Sequence, residues 1–279
     1  MTGLETAVIG LAALVILLVI RIPVGIAMMT VGIVGYASLS GIDPVINYMK
    51  TAAFWRFNSY DFSVIPMFLL MGEFASRSGL SKSLFEAANT FLGHRRGGVA
   101  MAAVGGCGAF GAICGSSLAT AGTMARVALP ELERYRYSGS LATGTLAAGG
   151  TLGILIPPSV ALIIYAISVQ ANIVQVFQAA LIPGIIGAVG YLITIAVWVR
   201  FSPESGPLGA RSDASQRWNA ILETWPTLLL FIVVIGGIYF GLFDPTEGAA
   251  VGAFGAALLA IWKVGFDVKI LFDCIRNTA

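Results

Sequence analysis

Two stretches of the chain carry the residue types that could do chemistry. The first is GGCGAFGAICGSSLAT (residues 105–120) and the second GGTLGILIPPS (residues 149–159). Both are clusters of Gly, Ser, Thr or Pro inside otherwise uncharged, membrane-grade sequence. The chemistry they suit is the holding of a sodium ion. Such an ion needs several hard oxygen ligands, and a helix interrupted within the membrane frees carbonyls while its ends add their dipoles. Ser116, Ser117 and Thr120 add hydroxyls, and Gly150 and Gly153 permit close backbone approach. Pro157 and Pro158 remove amide donors and stop regular helical hydrogen bonding. The ion would sit between the two breaks. Taken singly, each of these residues is equally a packing residue, and Gly149 to Gly153 is a GxxxG spacing. It is the pair of clusters that points to a site, because irregular backbone at membrane depth is tolerated only where protein buries it or where it lines a cavity. The two clusters read as the tip of a re-entrant hairpin and a broken helix.

The elements that must position them are membrane helices. A 279-residue chain with 57% hydrophobic and 11% charged residues and a mean hydropathy of +0.88 is a polytopic, all-α membrane protein rather than a soluble domain. A membrane β-barrel would need alternating segments of about ten residues, whereas these apolar runs are continuous. The net charge of +2 gives no reason to expect nucleic acid, and Cys107, Cys114 and Cys274 follow no transition-metal spacing and make no disulfide framework. An intramembrane enzyme would need paired carboxylates or a Ser/His constellation at depth. The single histidine, His94, lies in a basic loop and the acidic residues lie at segment ends, which argues against catalysis.

Leu4 to Ile20 reads as a first helix, not a signal peptide, and Ile22 to Leu39 as a second that closes in a turn at Gly41 to Pro44. Ile46 to Phe57, with Tyr48, Lys50, Trp55 and Arg56, has the mixture expected of a helix lying in the membrane interface. Phe62 to Ala75 returns through the bilayer, and Glu73 and Arg77 share one face near its end. Ser81 to Gly93 is amphipathic, with Lys82, Glu86 and Asn89 on the polar side.

From Gly97 to Ala125 there are 29 residues without a charge, too many for one span and too few for two with a turn. A hairpin over 97–131 that enters and leaves by one face satisfies both limits. The positive-inside rule then places Arg95, Arg96, Arg134 and Arg136 in the cytoplasm and the N-terminus outside. Tyr137 to Val199 holds 63 residues without Asp, Glu, Lys or Arg, enough for two passes. The Gly/Pro cluster falls within the first of them, a broken helix over 137–169. Arg126, about nine residues from the hairpin tip, invites a role with an anion, against which stands snorkelling to the basic face.

Residues 202–217 read as a cytoplasmic linker, followed by spans from Thr224 to Phe240 and from Ala249 to Ile261. The expected organisation is scaffold helices and an interfacial arm over 1–60, a first transport-core repeat over 61–201, the linker, and the incomplete start of a second repeat over 218–279. Glu5, an apolar helix, Gly41-Ile-Asp43 and an amphipathic segment are mirrored faintly by Glu247, an apolar helix, Gly265-Phe-Asp267 and Val268 to Ala279. The counted passes give the two copies opposite orientations, as in many secondary transporters.

GAICGSSLAT (111–120), LATGTLAAGGTLGILIPPS (141–159) and FDPTEGAAVGA (243–253) resemble the large membrane subunit of tripartite ATP-independent periplasmic (TRAP) transporters. The resemblance implies an elevator-type, inverted-repeat, sodium-coupled importer of organic acids such as a C4-dicarboxylate or sialic acid, in the bacterial inner membrane. It implies two partners, a small membrane Q subunit and a periplasmic substrate-binding protein. Carried over residue by residue, the family's sodium and substrate site falls on Cys114, Gly115, Ser116, Ser117 and Thr120 at the tip. In the break it falls on Gly150, Thr151, Gly153, Ile156, Pro157 and Pro158. The family carries a second hairpin and broken helix beyond the region corresponding to this chain, so the sequence reads as a truncated or partial subunit. The readings from other classes are a non-transporting scaffold and a channel.

Overall fold

The computed structural model describes residues 3–58, 60–209 and 211–278, apart from the side chains of residues 53 and 55–57. The interfacial role expected of Trp55 and Arg56 therefore lies outside the described side chains. The described residues form helices and turns with one isolated bridge, between Arg96 and Leu208, and no strand among them. They divide into two units, Met1–Phe62 and Ser63–Ala279.

In the first unit α1 (Gly3–Val19) packs on α2 (Val24–Ser40), which packs on α3 (Ile42–Phe57). Pro23, at the N-cap position of α2, sets that helix's start. The turn expected over Gly41 to Pro44 is confined to Gly41, whose φ of +86° only glycine adopts at no steric cost. The helix resumes at Ile42, four residues earlier than expected. Pro44 sits in its first turn, where an amide would have no intrahelical acceptor in any case.

The second unit opens with α4 (Val64–Arg77), which carries Pro66 in its first turn for the same reason. Next comes α5 (Leu80–Leu92), beginning after Gly79 in the left-handed region. The expected polar side of α5 is correct for Lys82 and Glu86, which pair at 3.7 Å. Asn89 is half-buried: it borders a polar pocket with Glu86, but its Oδ1 is buried without a hydrogen-bond partner among the described residues. The helix that organises the unit is α6 (Gly98–Cys114), buried along nearly its whole length and touching α4, α5 and the first two elements of the broken helix. Its Gly and Ala content is what allows this, since small side chains let neighbouring backbones approach. α7 (Ser117–Arg134) runs back beside it. The hairpin thus continues past the expected end at 131, through Pro130, to Arg134.

α8 (Gly139–Gly150), α9 (Leu152–Leu155) and α10 (Val160–Ser168) form a helix bent by 42° at its break. α11 (Ile173–Phe201) follows. Then come α12 (Ala214–Phe231), which passes through a π-helical stretch at Ile232–Gly236 into α13 (Gly237–Tyr239), α14 (Pro245–Val264) and α15 (Val268–Thr278). Three helical stretches among the described residues are long and apolar enough to cross a membrane: Ile173–Phe201, Ala214–Tyr239 and Pro245–Val264, with the bent pair as a fourth. The span expected from Thr224 starts ten residues earlier because Asp213 and Gln216 cap the helix, Gln216 accepting the Asp213 amide at 3.0 Å.

Residues 203–209 are packed against the base of the hairpin. Gly97 donates to the Gly206 carbonyl, Gly209 to Gly93 and Ser138 to Ser205, each at 3.0 Å. The Tyr137 hydroxyl accepts from the Val99 amide at 3.2 Å and donates to the Pro207 carbonyl at 3.0 Å. Burial pushes the Tyr137 phenol above its usual range, so it remains a neutral donor at physiological pH. Gly97 and Gly206 must approach closely here, since a Cβ on Gly206 would meet the Gly97 Cα at 3.2 Å.

Candidate functional site

The hairpin tip is a two-residue turn. α6 ends at Cys114, Gly115 reverses the chain at φ +65°, and Ser116 caps α7 by accepting the Ala119 amide at 3.4 Å. The break in the second element is shorter than expected. Residues 149–155 remain helical apart from a slight discontinuity at Thr151, and the extended backbone is confined to Ile156 through Ser159. Gly150 and Gly153 are therefore not unwound. They act as close-contact positions, which is the physical reason that a Gly-rich run does not by itself break a packed membrane helix.

The tip and the break meet backbone to backbone. Val160 donates its amide to the Gly115 carbonyl at 3.2 Å, and a Cβ on Gly115 would lie 2.9 Å from the Pro158 carbonyl oxygen. A Cβ on Gly153 would lie 2.5 Å from Thr120 Oγ1 and 2.9 Å from the Ser116 carbonyl oxygen, and one on Gly150 would lie 3.2 Å from the Ser117 carbonyl oxygen. Further along, a Cβ on Gly111 would lie 2.6 Å from the Gly153 Cα. Pro157 and Pro158 are joined by a cis bond. Ser159 is fully buried and caps α10, accepting from the Leu162 amide at 3.5 Å.

Most of the expected site residues thus come together along one seam. Gly115, Ser116, Ser117 and Thr120 from the hairpin face Gly150, Gly153 and Pro158. Thr120 is the most telling of them. It is fully buried, its hydroxyl oxygen has no nitrogen or oxygen hydrogen-bond partner among the described residues, and the Cys114 thiol reaches it only as a weak sulfur partner. A buried hydroxyl in that state costs about 1–3 kcal/mol unless something satisfies it. Two expected residues face elsewhere. Thr151 turns to α11, where its hydroxyl lies 2.8 Å from that of Tyr191, and Ile156 packs its side chain on Gly108 and Gly184. Cys114 touches the seam from behind, closing on Gly72 of α4.

Beside the tip opens a polar cavity of about 660 Å3, lined by α4, α5, α7 and α15. Glu73 and Arg77 both face it, as their spacing predicts, but they do not pair with each other. Arg77 meets Asp273 of α15 at 3.8 Å, and Asn277 donates to Glu73 at 3.5 Å. Sequence reasoning missed the contributions of Gly111, Ser159 and α15. For Gly111 the spacing of Gly108, Gly111 and Gly115 along one helix was a usable signal; contacts from α15, some two hundred residues away in sequence, left none.

The profile of the family described as tripartite ATP-independent periplasmic transporter, DctM component, matches residues 11–279. The chain is 34% identical over 203 residues to a C4-dicarboxylate TRAP transporter large permease protein of Pseudomonas aeruginosa, covering 73% of this chain and 47% of that protein. It is 31% identical to an isethionate TRAP transporter permease protein of Oleidesulfovibrio alaskensis (94% of this chain, 41% of that one). It is 29% identical to a sialic acid TRAP transporter permease protein of Haemophilus influenzae (99% and 45%). The chain spans about half the length of the curated relatives it matches. With its helical, multi-pass architecture and a match over almost its whole length, the chain belongs to the DctM component family of tripartite ATP-independent periplasmic transporters, membrane permeases and not enzymes.

Proposed function

We propose that the chain supplies a sodium site, built from hairpin tip and broken helix, to the permease of a sodium-coupled, binding-protein-dependent importer of organic acids. The observation that carries this reading is the buried hydroxyl of Thr120, without a nitrogen or oxygen partner among the described residues, at a seam that the Ser116, Ser117 and Pro158 carbonyls also line. Those are hard oxygens of the kind a sodium ion takes, held where glycines let backbones approach. The cargo is an organic acid, and it reaches the permease from a periplasmic substrate-binding protein, with a small membrane subunit as the second partner. The relative named a permease protein DctMQ supports the membrane partner, and the relatives named for C4-dicarboxylate and sialic acid support the cargo class.

The permease sits in the bacterial inner membrane with its N-terminus periplasmic and the hairpin base cytoplasmic. Arg95 and Arg96 before α6, and Arg134 and Arg136 at the end of α7, fall at the same end of the hairpin, which supports that orientation. The internal repeat on which an inverted-repeat, elevator-type reading depends is supported by matched helix ends. Gly41 (φ +86°, ψ 172°) and Gly265 (φ +95°, ψ 165°) have one conformation, each donates to the carbonyl four residues back at 2.9 Å, and each precedes a short helix.

The test is thermal unfolding of the chain in detergent, titrated with sodium chloride against choline chloride at constant ionic strength. Sodium should raise the midpoint. Thr120→Val should shift the sodium requirement about ten- to hundredfold upward, the effect of losing one ligand worth about 1.4–2.8 kcal/mol. Ser138→Ala, at the hairpin base, should leave it unchanged. If Thr120→Val stabilises the chain and keeps the parent sodium response, the hydroxyl was merely an unsatisfied buried group and the site is wrong.

A further inference from the structure

The cavity beside the tip is charged unevenly along its length. At its tip end, Gly72 contacts Cys114 and Glu73 is the adjoining carboxylate, half-buried and near enough to act on the Cys114 thiol. The opposite end lies one turn further along α4, at Arg77, and roughly two and a half turns along α7, at Arg126. Ser76 and Thr123 meet hydroxyl to hydroxyl at 3.1 Å, and just beyond that contact in sequence stand Arg77 and Arg126. Lys82 of α5 completes this basic end.

The three cations are not equally free. Arg77 is engaged by Asp273, and Lys82 by Glu86. Arg126 lines the cavity and has no ion pair among the described residues. Arg126 is exposed, and it borders the cavity of about 660 Å3 that runs up to the hairpin tip. A guanidinium with its planar fork unengaged, flanked by a second arginine and a hydroxyl pair, matches a carboxylate in charge and in geometry.

We infer that the basic end of this cavity is a second station for a carboxylate anion, with Arg126 as the residue that holds it. The station is separate from the seam. Nine residues of helix lie between Ser117 and Arg126, a rise of roughly 13 Å, which a four-carbon diacid cannot bridge. Glu73 at the tip end disfavours an anion there and favours a cation, so the charge gradient along the cavity draws a carboxylate from the tip toward Arg126. The inference rests on the permease reading for its cargo class, but its test does not require transport.

The test uses the chain in lipid nanodiscs and phenylglyoxal, which modifies arginine, with peptide mass spectrometry reading Arg126 against Arg95 and Arg200 outside the cavity. The probes are succinate and its uncharged dimethyl ester, each in sodium and in choline medium at constant ionic strength. The expected result is that succinate slows modification of Arg126 several-fold in both media, leaves Arg95 and Arg200 unaffected, and that the ester does nothing. Arg126→Lys, which keeps the charge but loses the fork, should weaken succinate binding about tenfold, read as succinate-dependent thermal stabilisation. No slowing at Arg126, or equal slowing by the ester, overturns the inference. Slowing only in sodium also overturns it, because Arg126 would then belong to the sodium-coupled seam. The failure is separable from that of the proposed function: a normal sodium response in Thr120 variants with an unprotected Arg126 removes the second station alone, and the converse removes the sodium site alone.

Discussion

Gly111→Ala tests whether the seam between hairpin and broken helix is as tight as its geometry requires. The added methyl would lie 2.6 Å from the Gly153 Cα and 2.9 Å from its amide nitrogen, against the 3.4 Å at which ordinary van der Waals contact begins. Both obstructing atoms are backbone, and the obstructing residue is itself glycine, so no side chain can rotate away. The helices must separate by roughly 0.8 Å or bend. Overpacking of this kind costs about 1–3 kcal/mol, which in a chain of this size lowers the melting midpoint by about 2–10 °C. Gly144→Ala is the internal control. It lies in α8 with nothing within 4 Å of the built Cβ, so the same substitution there should be neutral or mildly stabilising through helix propensity. The assay is thermal unfolding in detergent with sodium or choline. Because opening the seam also separates the Thr120 hydroxyl from Gly153, Gly111→Ala should further blunt the sodium-dependent rise. A Gly111→Ala variant that melts with the parent and keeps its sodium response would refute the backbone-to-backbone seam.

Tyr137→Phe removes the hydroxyl that joins the Val99 amide to the Pro207 carbonyl, leaving two backbone groups without that partner. It should cost about 1–3 kcal/mol locally and speed tryptic cleavage at Arg211. Since the folded phenol is raised above its usual value, its contribution is complete below pH 10 and is lost only above that, so parent cleavage should be independent of this group between pH 7 and 9. Asp244→Ala removes the N-cap of α14, where Glu247 accepts the Asp244 amide at 3.0 Å, and should cost about 1 kcal/mol. The check is faster hydrogen exchange confined to residues 246–249.

Much of the architecture was legible because the membrane constrains it so strongly. The 29 uncharged residues from Gly97 to Ala125 fit only a hairpin, and α6 and α7 form one; the 63 from Tyr137 to Val199 fit a broken helix and a full span. What sequence misjudged was how local signals yield to packing. The break, expected over 150–158, is confined to its end: in an apolar surrounding an unmade backbone hydrogen bond is so costly that the helix persists through the close-contact positions Gly150 and Gly153 until Pro157 and Pro158 forbid it. Residues 202–209, rich in Pro, Gly and Ser, looked like free linker, yet their carbonyls are acceptors for the hairpin base, because Gly97, Ser138 and Tyr137 present donors there. Glu73 and Arg77 share one face as their spacing indicates, but what engages them there was not legible: α15 brings Asp273 and Asn277 to that face, and no spacing within α4 announces it.

The seam has a further property that follows from the caps. Ser116 and Ser159 adopt the same backbone conformation, φ −133° and ψ 127° in one and φ −134° and ψ 127° in the other, and each starts a helix. α6 ends at Cys114 and the α8–α9 segment at Leu155, so two helix C-terminal ends and two N-terminal ends converge on one place. Each C-terminal end carries partial negative charge and each N-terminal end partial positive charge, on the order of half an elementary charge. On the reading proposed above, helix-end carbonyls suited to a cation and helix-start amides suited to an anion would lie side by side, with no ionised side chain among the described residues that meet at the seam. An ion and an acid that use the two kinds of end would each neutralise the other's field, which is a coupling free energy in the thermodynamic sense. The glycines at 111, 115, 150 and 153 are what make it possible, since any side chain at those positions would hold the four ends apart.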